Sequence, residues 1–511
     1  MISKLFVKNL LFLLIITGIN ITTFGWIPDA QSQDLPPLLP PQAVTSYVLV
    51  DLETGQILDG LNIDEIQPIA SVAKIMTALI ALEQLGSDFR FETMLLANGP
   101  IDQGILQGDL LLWGGGDPFL SSDDLATLAQ SLNQAPLRQV TGNFYYGDLA
   151  SPPSEINPLQ PMAAPYNPGI SPLSVDFNRV WVKSSPSLLP HATHDPVGET
   201  YAVTDQRLIP TPWIKVLWPA DQQYHHRFIQ PPFNSSSAGT LPIFVGEEWQ
   251  LPLSEKEQIE WLPIKHPAYH SAYIFQTLAA HQGSALPNPL PLIGQAGPWP
   301  TLFADGRVIA RHYSPVLSQI IPLILHYSNN ISAELIGYQL LQGSSPNNLL
   351  AGCVNSDCIA RYFRAWAQLN LPQLNWQDLE IQQFSGLGHA NRLTGRQMAA
   401  ILEYLWHHPK EYAVLGQGLS IPPFLSASPI ASHIQVKTGT LVGVSAISGY
   451  LFSSTHRPLA FFIASHNPQE ISNLLVAAGN RSPFSSAAQR QWQQQTRQFQ
   501  KELLEYWVTT H

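Results

Sequence analysis

Pro68-Ile69-Ala70-Ser71-Val72-Ala73-Lys74-Ile75-Met76-Thr77-Ala78-Leu79-Ile80-Ala81-Leu82-Glu83-Gln84-Leu85 is the stretch on which the reading of this chain turns. Ile75, Leu79 and Leu82 recur at helical spacing and Gly86 follows at a plausible end, so the pattern predicts a helix over 71–85. Residues three apart on a helix share a face, which brings the Ser71 hydroxyl and the Lys74 amine together. A serine hydroxyl is a weak nucleophile until a neighbouring base takes its proton. Lysine is such a base only when burial or nearby positive charge lowers its pKa. Backbone N–H groups at a helix start can also hold an oxyanion. Taken alone, the pair reads more simply as a helix with a serine N-cap.

Ahead of this stretch, Tyr47 to Leu58 reads as a hairpin turning around Glu53-Thr54-Gly55. Far downstream, helical patterns occupy 314–327 and 331–341, with Ser328-Asn329-Asn330 between them. A hydroxyl and an amide two residues apart can both enter a cleft from such a turn, although the tripeptide alone is an ordinary polar loop. Residues 361–370 and 395–407 also read as helices, and 434–437, 446–452 and 459–465 as strands. The first of these strands runs into Lys437-Thr438-Gly439-Thr440, a strand edge able to receive an extended peptide. Lys437 and Thr438 offer a cation and a hydroxyl to a carboxylate, and Gly439 permits close backbone approach. Trp492, Phe499, Leu503, Leu504 and Trp507 lie near helical spacing in the Gln-rich tail, as for a helix covering one side of a sheet.

Ser-x-x-Lys, Ser-x-Asn and Lys-Thr-Gly, in that order and in helix, loop and strand contexts, resemble the motif set of penicillin-binding proteins and serine β-lactamases. Ser328 follows Ser71 by 257 residues, a gap that resembles the D-alanyl-D-alanine carboxypeptidase/endopeptidase family of class C low-molecular-mass penicillin-binding proteins. The same family is suggested by Val50-Asp51-Leu52-Glu53-Thr54-Gly55, Gly108-Asp109-Leu110 with Gly115-Gly116-Asp117-Pro118, and Ser171-Pro172-Leu173-Ser174-Val175 with Asn178. Ser385-Gly386-Leu387 with Asn391-Arg392, and Gly443 to Tyr450, extend the resemblance towards the C-terminus. Two departures stand out: Gln383-Phe384 replace an Asp-Gly pair, and Asn329 stands where Asp is common.

The resemblance implies an α+β catalytic domain, an antiparallel sheet flanked by helices with a helical lobe, formed from residues 34–90 and 295–511. Residues 91–294, short apolar runs split by Pro and Gly, are expected to be a large, mostly β insertion. Residues of roughly 92–293 are expected to be replaceable by a short linker without dismantling the sheet, and to position the enzyme on polymeric wall or on partners rather than do chemistry. By carry-over, Ser71 is the nucleophile and Lys74 the general base. Ser328 and Asn330 relay protons and bind a substrate amide. Lys437 and Thr438 hold a terminal carboxylate, with Gly439 beside them, and the N–H groups of Ser71 and Thr440 form the oxyanion hole. The implied activity is hydrolysis of D-Ala-D-Ala peptides in peptidoglycan through an acyl-enzyme, with stem peptides as partners and β-lactams as inhibitors. No cofactor or metal is implied. The other readings are a β-lactamase and a dormant wall-binding protein.

Composition agrees with an exported enzyme. Lys4 and Lys8 precede an apolar run from Leu10 to Ile16, so residues 1–33 read as a signal peptide or uncleaved anchor, directing the rest to the periplasm or cell envelope. No later run reaches the roughly 18 apolar residues of a membrane span. A net charge of -12 without a basic stripe excludes a nucleic-acid partner, and leaves membrane contact to that first segment. Cys353 and Cys358 are expected to form a local disulfide or remain two inert thiols. His191, His194, His225 and His226 read as solvated loop residues.

Overall fold

Two strands lead to the Ser-x-x-Lys stretch: β1 (Val44–Asp51) and β2 (Ile57–Leu61) pair as the expected antiparallel hairpin. Asp51 closes their turn by accepting the N–H groups of Glu53 and Thr54 at 2.8 and 2.7 Å. The computed structural model describes residues 38–148, 155–184, 199–204, 206–217, 227–229, 246–251, 258–293, 301–343, 356–476 and 486–511. The leader expected over 1–33, the four histidines named above and Cys353 lie outside them. Cys358 is disulfide-bonded, which decides between the two states expected of it. Among the described residues no helix is long and apolar enough to cross a membrane.

The helix α1 (Lys74–Leu85) starts later than its apolar spacing suggested, because Ala70–Ala73 form a 3-10 turn first. Ser71 sits in that turn and caps nothing with its side chain, so the N-cap reading is replaced by a hydroxyl turned to other partners. The chain then enters the middle region through β3 (Glu92–Asn98), β4 (Asp109–Gly114), α2 (Ser122–Gln134) and β5 (Phe144–Asp148). It continues through α3 (Pro267–His281), β6 (Pro289–Ile293) and β7 (Arg307–Tyr313). These strands form one sheet in the order β6-β5-β4-β3-β7, with α2 and α3 packed in the same apolar core. A second sheet runs in the order Leu208–Pro210, Glu199–Val203, Arg179–Ser184, Gln258–Pro263.

Two details differ from the sequence-based expectation. Helix α3 was not legible because it is buried over most of its length, so it lacks the polar face that produces a helical period. Strand β7 pairs with β3, so the middle sheet reaches past the expected boundary at 294.

After β7 come α4 (Leu317–Tyr327), α5 (Asn330–Gly343), α6 (Ser356–Asn370) and α7 (Gly395–Trp406). Three long strands follow, β8 (Ile434–Leu441), β9 (Val444–Phe452) and β10 (Pro458–His466), and then α8 (Ala487–Thr510). They join the N-terminal hairpin in a wholly antiparallel sheet, β2-β1-β10-β9-β8, with β8 at its edge.

Alternation along these strands divides the core in two. Val48, Val50, Ala446, Tyr450, Ala460 and Phe462 pack with α1, α4 and α7 on one face. Leu49, Val436, Ile447, Leu451, Phe461 and Ile463 pack with Phe499, Leu503, Leu504 and Trp507 of α8 on the other. Each fully buried valine, leucine, isoleucine or phenylalanine among them contributes roughly 1.5–3 kcal/mol. The tail helix thus covers one side of the sheet, as its spacing suggested.

Candidate active site

The three motifs meet at the edge strand β8. The 3-10 turn carrying Ser71 lies against that strand so closely that a Cβ on Gly439 would sit 2.5 Å from the Ile69 carbonyl oxygen and 3.0 Å from the Ser71 nitrogen. This contact explains the glycine, which has an ordinary backbone conformation but no room for a side chain. A second glycine holds the other side of the turn. Gly386 has φ +73°, and its Cβ position is 2.0 Å from the Ala70 carbonyl oxygen.

Lys74 is 1 % exposed and donates at three points: the Ser71 Oγ at 3.0 Å, the Asn330 Oδ1 at 2.7 Å and the Ser385 carbonyl at 2.6 Å. Burial pushes its pKa well below the ordinary lysine range. The Lys437 ammonium pushes the same way, and the Glu334 carboxylate opposes both. A neutral amine has two N–H groups, which the Asn330 and Ser385 oxygens accept at the two shorter distances. Its lone pair is then left for the Ser71 hydroxyl, the arrangement a general base requires.

Helix ends place the second motif. Ser328 takes the left-handed conformation that terminates α4, φ 52° and ψ 39°, and Asn330 opens α5 two residues later. The Asn330 amide bridges two parts of the molecule: its Oδ1 accepts from Lys74, and its Nδ2 donates to the Tyr166 carbonyl at 3.0 Å. The Lys437 Nζ donates to the Ser328 Oγ at 3.0 Å and to the Thr438 carbonyl at 2.9 Å. Its pKa is pushed down by burial to about 8. Ser71, Lys74 and Asn330 therefore form one hydrogen-bonded group and Lys437 with Ser328 a second, and the charge of Lys437 acts on Lys74. Thr438 and Thr440 line the wall of an adjoining cavity of about 470 Å³.

Several groups at this site were not singled out from the sequence. Glu334 is buried, and accepts the Ser385 N–H at 2.8 Å and the Phe384 N–H at 3.3 Å. It thereby orients the Ser385 carbonyl that meets Lys74. Burial raises its pKa above the usual carboxylate range. Its signal was available, since it lies four residues after Asn330 on the same helix face. The Gln383-Phe384 departure leaves this loop intact. Phe384 is buried over Gly337, where a Cβ would lie 2.0 Å from the ring.

The middle region also reaches the site. The Asn157 Nδ2 donates to the Leu387 carbonyl at 2.7 Å, and the Ser332 Oγ donates to the Pro118 carbonyl at 3.1 Å. Ile156 packs with Ala70, Ile331, Leu335 and Leu387. Excision of the middle region would therefore remove groups that touch the Ser385–Leu387 loop and Asn330.

Comparison with known proteins adds the following. A family model for the D-Ala-D-Ala carboxypeptidase 3 (S13) family matches residues 29–480. A D-alanyl-D-alanine carboxypeptidase of Actinomadura sp. (strain R39) is 27% identical over 433 residues, covering 80% of this chain and 75% of the relative. D-alanyl-D-alanine carboxypeptidase DacB of Haemophilus influenzae is 22% identical over 446 residues, covering 84% and 86%. The crystal structure of penicillin binding protein 4 (dacB) from Haemophilus influenzae superposes with a TM-score of 0.68 at 17% identity, over 92% of this chain and 98% of that one, and so shares its fold. That protein has also been solved in complex with a β-lactam.

Proposed function

The chain belongs to the D-Ala-D-Ala carboxypeptidase 3 (S13) family of serine hydrolases, and from that premise we propose how its own residues cut a D-Ala-D-Ala peptide of peptidoglycan. Neutral Lys74 takes the Ser71 proton as Oγ attacks the carbonyl of the penultimate D-alanine. The N–H groups of Ser71 and Thr440 receive the oxyanion, where fixed donors act most strongly on developing charge. The C–N bond breaks as a proton passes through Ser328 to the leaving amine, and the terminal D-alanine departs. Asn330 holds both Lys74 and a substrate amide. Lys437 and Thr438 face the terminal carboxylate. Water then hydrolyses the Ser71 ester by the same base. A β-lactam enters at the first step and stays as the ester, and the enzyme works outside the cytoplasm, where its substrate lies.

The observation that carries this reading is the geometry of Lys74. It is buried, has its two N–H groups engaged by carbonyl-type oxygens, and lies 3.0 Å from a serine that caps no helix. The test is labelled penicillin followed by digestion and mass spectrometry. The label is expected on Ser71, and Ser71→Ala should lose both labelling and release of D-alanine while keeping its fold. Labelling that persists in that variant would remove the assignment.

A further inference from the structure

The segment of the middle region that meets the site is held together by two buried asparagines. Asn157 is 4 % and Asn167 0 % exposed. The Asn157 N–H donates to the Asn167 Oδ1 at 2.8 Å, and the Asn167 Nδ2 donates back to the Asn157 carbonyl at 3.0 Å, so the two form a reciprocal clasp. The Asn167 backbone is engaged as well. Its N–H donates to the Ala164 carbonyl at 2.9 Å, and its carbonyl accepts from the Nζ of Lys265, itself buried, at 3.1 Å. Pro168 follows and narrows the conformations open to Asn167. Each polar atom of Asn167 therefore has a partner, and none of these partners takes part in the reaction above.

Both sides of the clasp lead to Lys74. The peptide unit that ends in the Asn167 N–H begins with the Tyr166 carbonyl, which accepts from the Asn330 Nδ2 at 3.0 Å. A peptide unit is planar, so holding its N–H aims its carbonyl. On the other side, the Asn157 Nδ2 donates to the Leu387 carbonyl at 2.7 Å, two residues beyond Ser385. The Asn330 Oδ1 and the Ser385 carbonyl are the two oxygens that engage the Lys74 N–H groups. The Tyr166 bond has the greater consequence, because an amide that turns over by 180° exchanges its acceptor for donors. A reversed Asn330 would direct N–H groups at Lys74 and donate to the lone pair that takes the Ser71 proton. A carbonyl can only accept, so the Tyr166 oxygen selects the sense in which the Asn330 oxygen faces Lys74. We propose that Asn167 is a positioning residue: through the Tyr166 carbonyl it fixes the sense of the Asn330 amide, and through Asn157 it steadies the loop that carries the Ser385 carbonyl. This assignment rests on the roles proposed above for Ser71 and Lys74, and gives the middle region a part in aiming the base.

The test is a double-mutant cycle on the full chain. It reads the single-turnover rate of Ser71 acylation by labelled penicillin and, separately, the dissociation constant of the complex that precedes it. Asn167→Ala is expected to slow acylation about tenfold and to leave the dissociation constant within about twofold, because aim is lost and not contact. In an Asn330→Ala background the same change should slow acylation by less than about threefold, the part carried through Leu387, since no amide remains to be aimed. Asn167→Asp keeps the shape and the acceptor for the Asn157 N–H but loses the donor. It runs the same cycle, with the same readings, if the alanine variant does not fold. A tenfold fall in both backgrounds, no fall with Asn330 in place, or a weakened complex with an unchanged rate overturns the proposal. Failure of the underlying roles looks different, because the unaltered chain would then not be labelled on Ser71.

Discussion

Replacing Gly439 by alanine tests how tightly the edge strand and the nucleophile turn are held together. The added Cβ would lie 2.5 Å from the Ile69 carbonyl oxygen, against about 3.4 Å for an ordinary contact, so β8 and the turn must separate by about 0.9 Å. The atoms in the way are backbone, together with the Ala70 Cβ at 3.0 Å, and none of them can rotate aside. Overpacking of this kind costs about 1–3 kcal/mol, a fall of several degrees in Tm. The larger effect should be on rate, because a misplacement of about 1 Å between reacting groups costs about a hundredfold. The assay is single-turnover acylation by a fluorescent penicillin, with calorimetry on the same samples. Gly416→Ala is the control, since its nearest neighbour to an added Cβ is 3.7 Å away. An acylation rate for Gly439→Ala within about threefold of the unaltered chain would refute the reasoning, for the close approach would then have no bearing on Ser71.

Three other outcomes follow from the buried groups. Lys74→Arg keeps the charge but cannot become neutral, so acylation should fall by orders of magnitude while the fold persists, and near-normal acylation would exclude Lys74 as base. The Lys437 cation lowers the pKa of Lys74 and the Glu334 anion raises it. Lys437→Met should therefore move the acid limb of the acylation pH profile to higher pH, and Glu334→Gln should move it lower; shifts in the same direction would contradict this electrostatic balance. Gly337→Ala should destabilise the protein by driving a methyl into the Phe384 ring, and the same change should cost less in a Phe384→Ala background. Independent, additive effects in denaturant unfolding would show that the two positions are not coupled.

Much of the fold was open to reading because the sheet is built from short apolar runs bounded by turn residues. The hairpin at 44–61 and the strands at 434–466 are such runs, and the tail helix shows the spacing of a half-buried helix. The candidate site was open to reading for a related reason, since Ser71 with Lys74, Ser328 with Asn330, and Lys437 through Thr440 are each local arrangements written over a few residues. What sequence alone determined about this protein was therefore three local sets of polar groups and the elements that carry them. Only the tertiary structure decided which groups meet. Lys74 lies 256 residues from Asn330 and 311 from Ser385, and no local pattern encodes contacts of that span. Burial, which holds the Lys74 pKa well below the ordinary lysine range, is likewise a property of the packed core and not of the sequence around it. The same holds for Glu334 and for the Asn157 and Tyr166 contacts from the middle region.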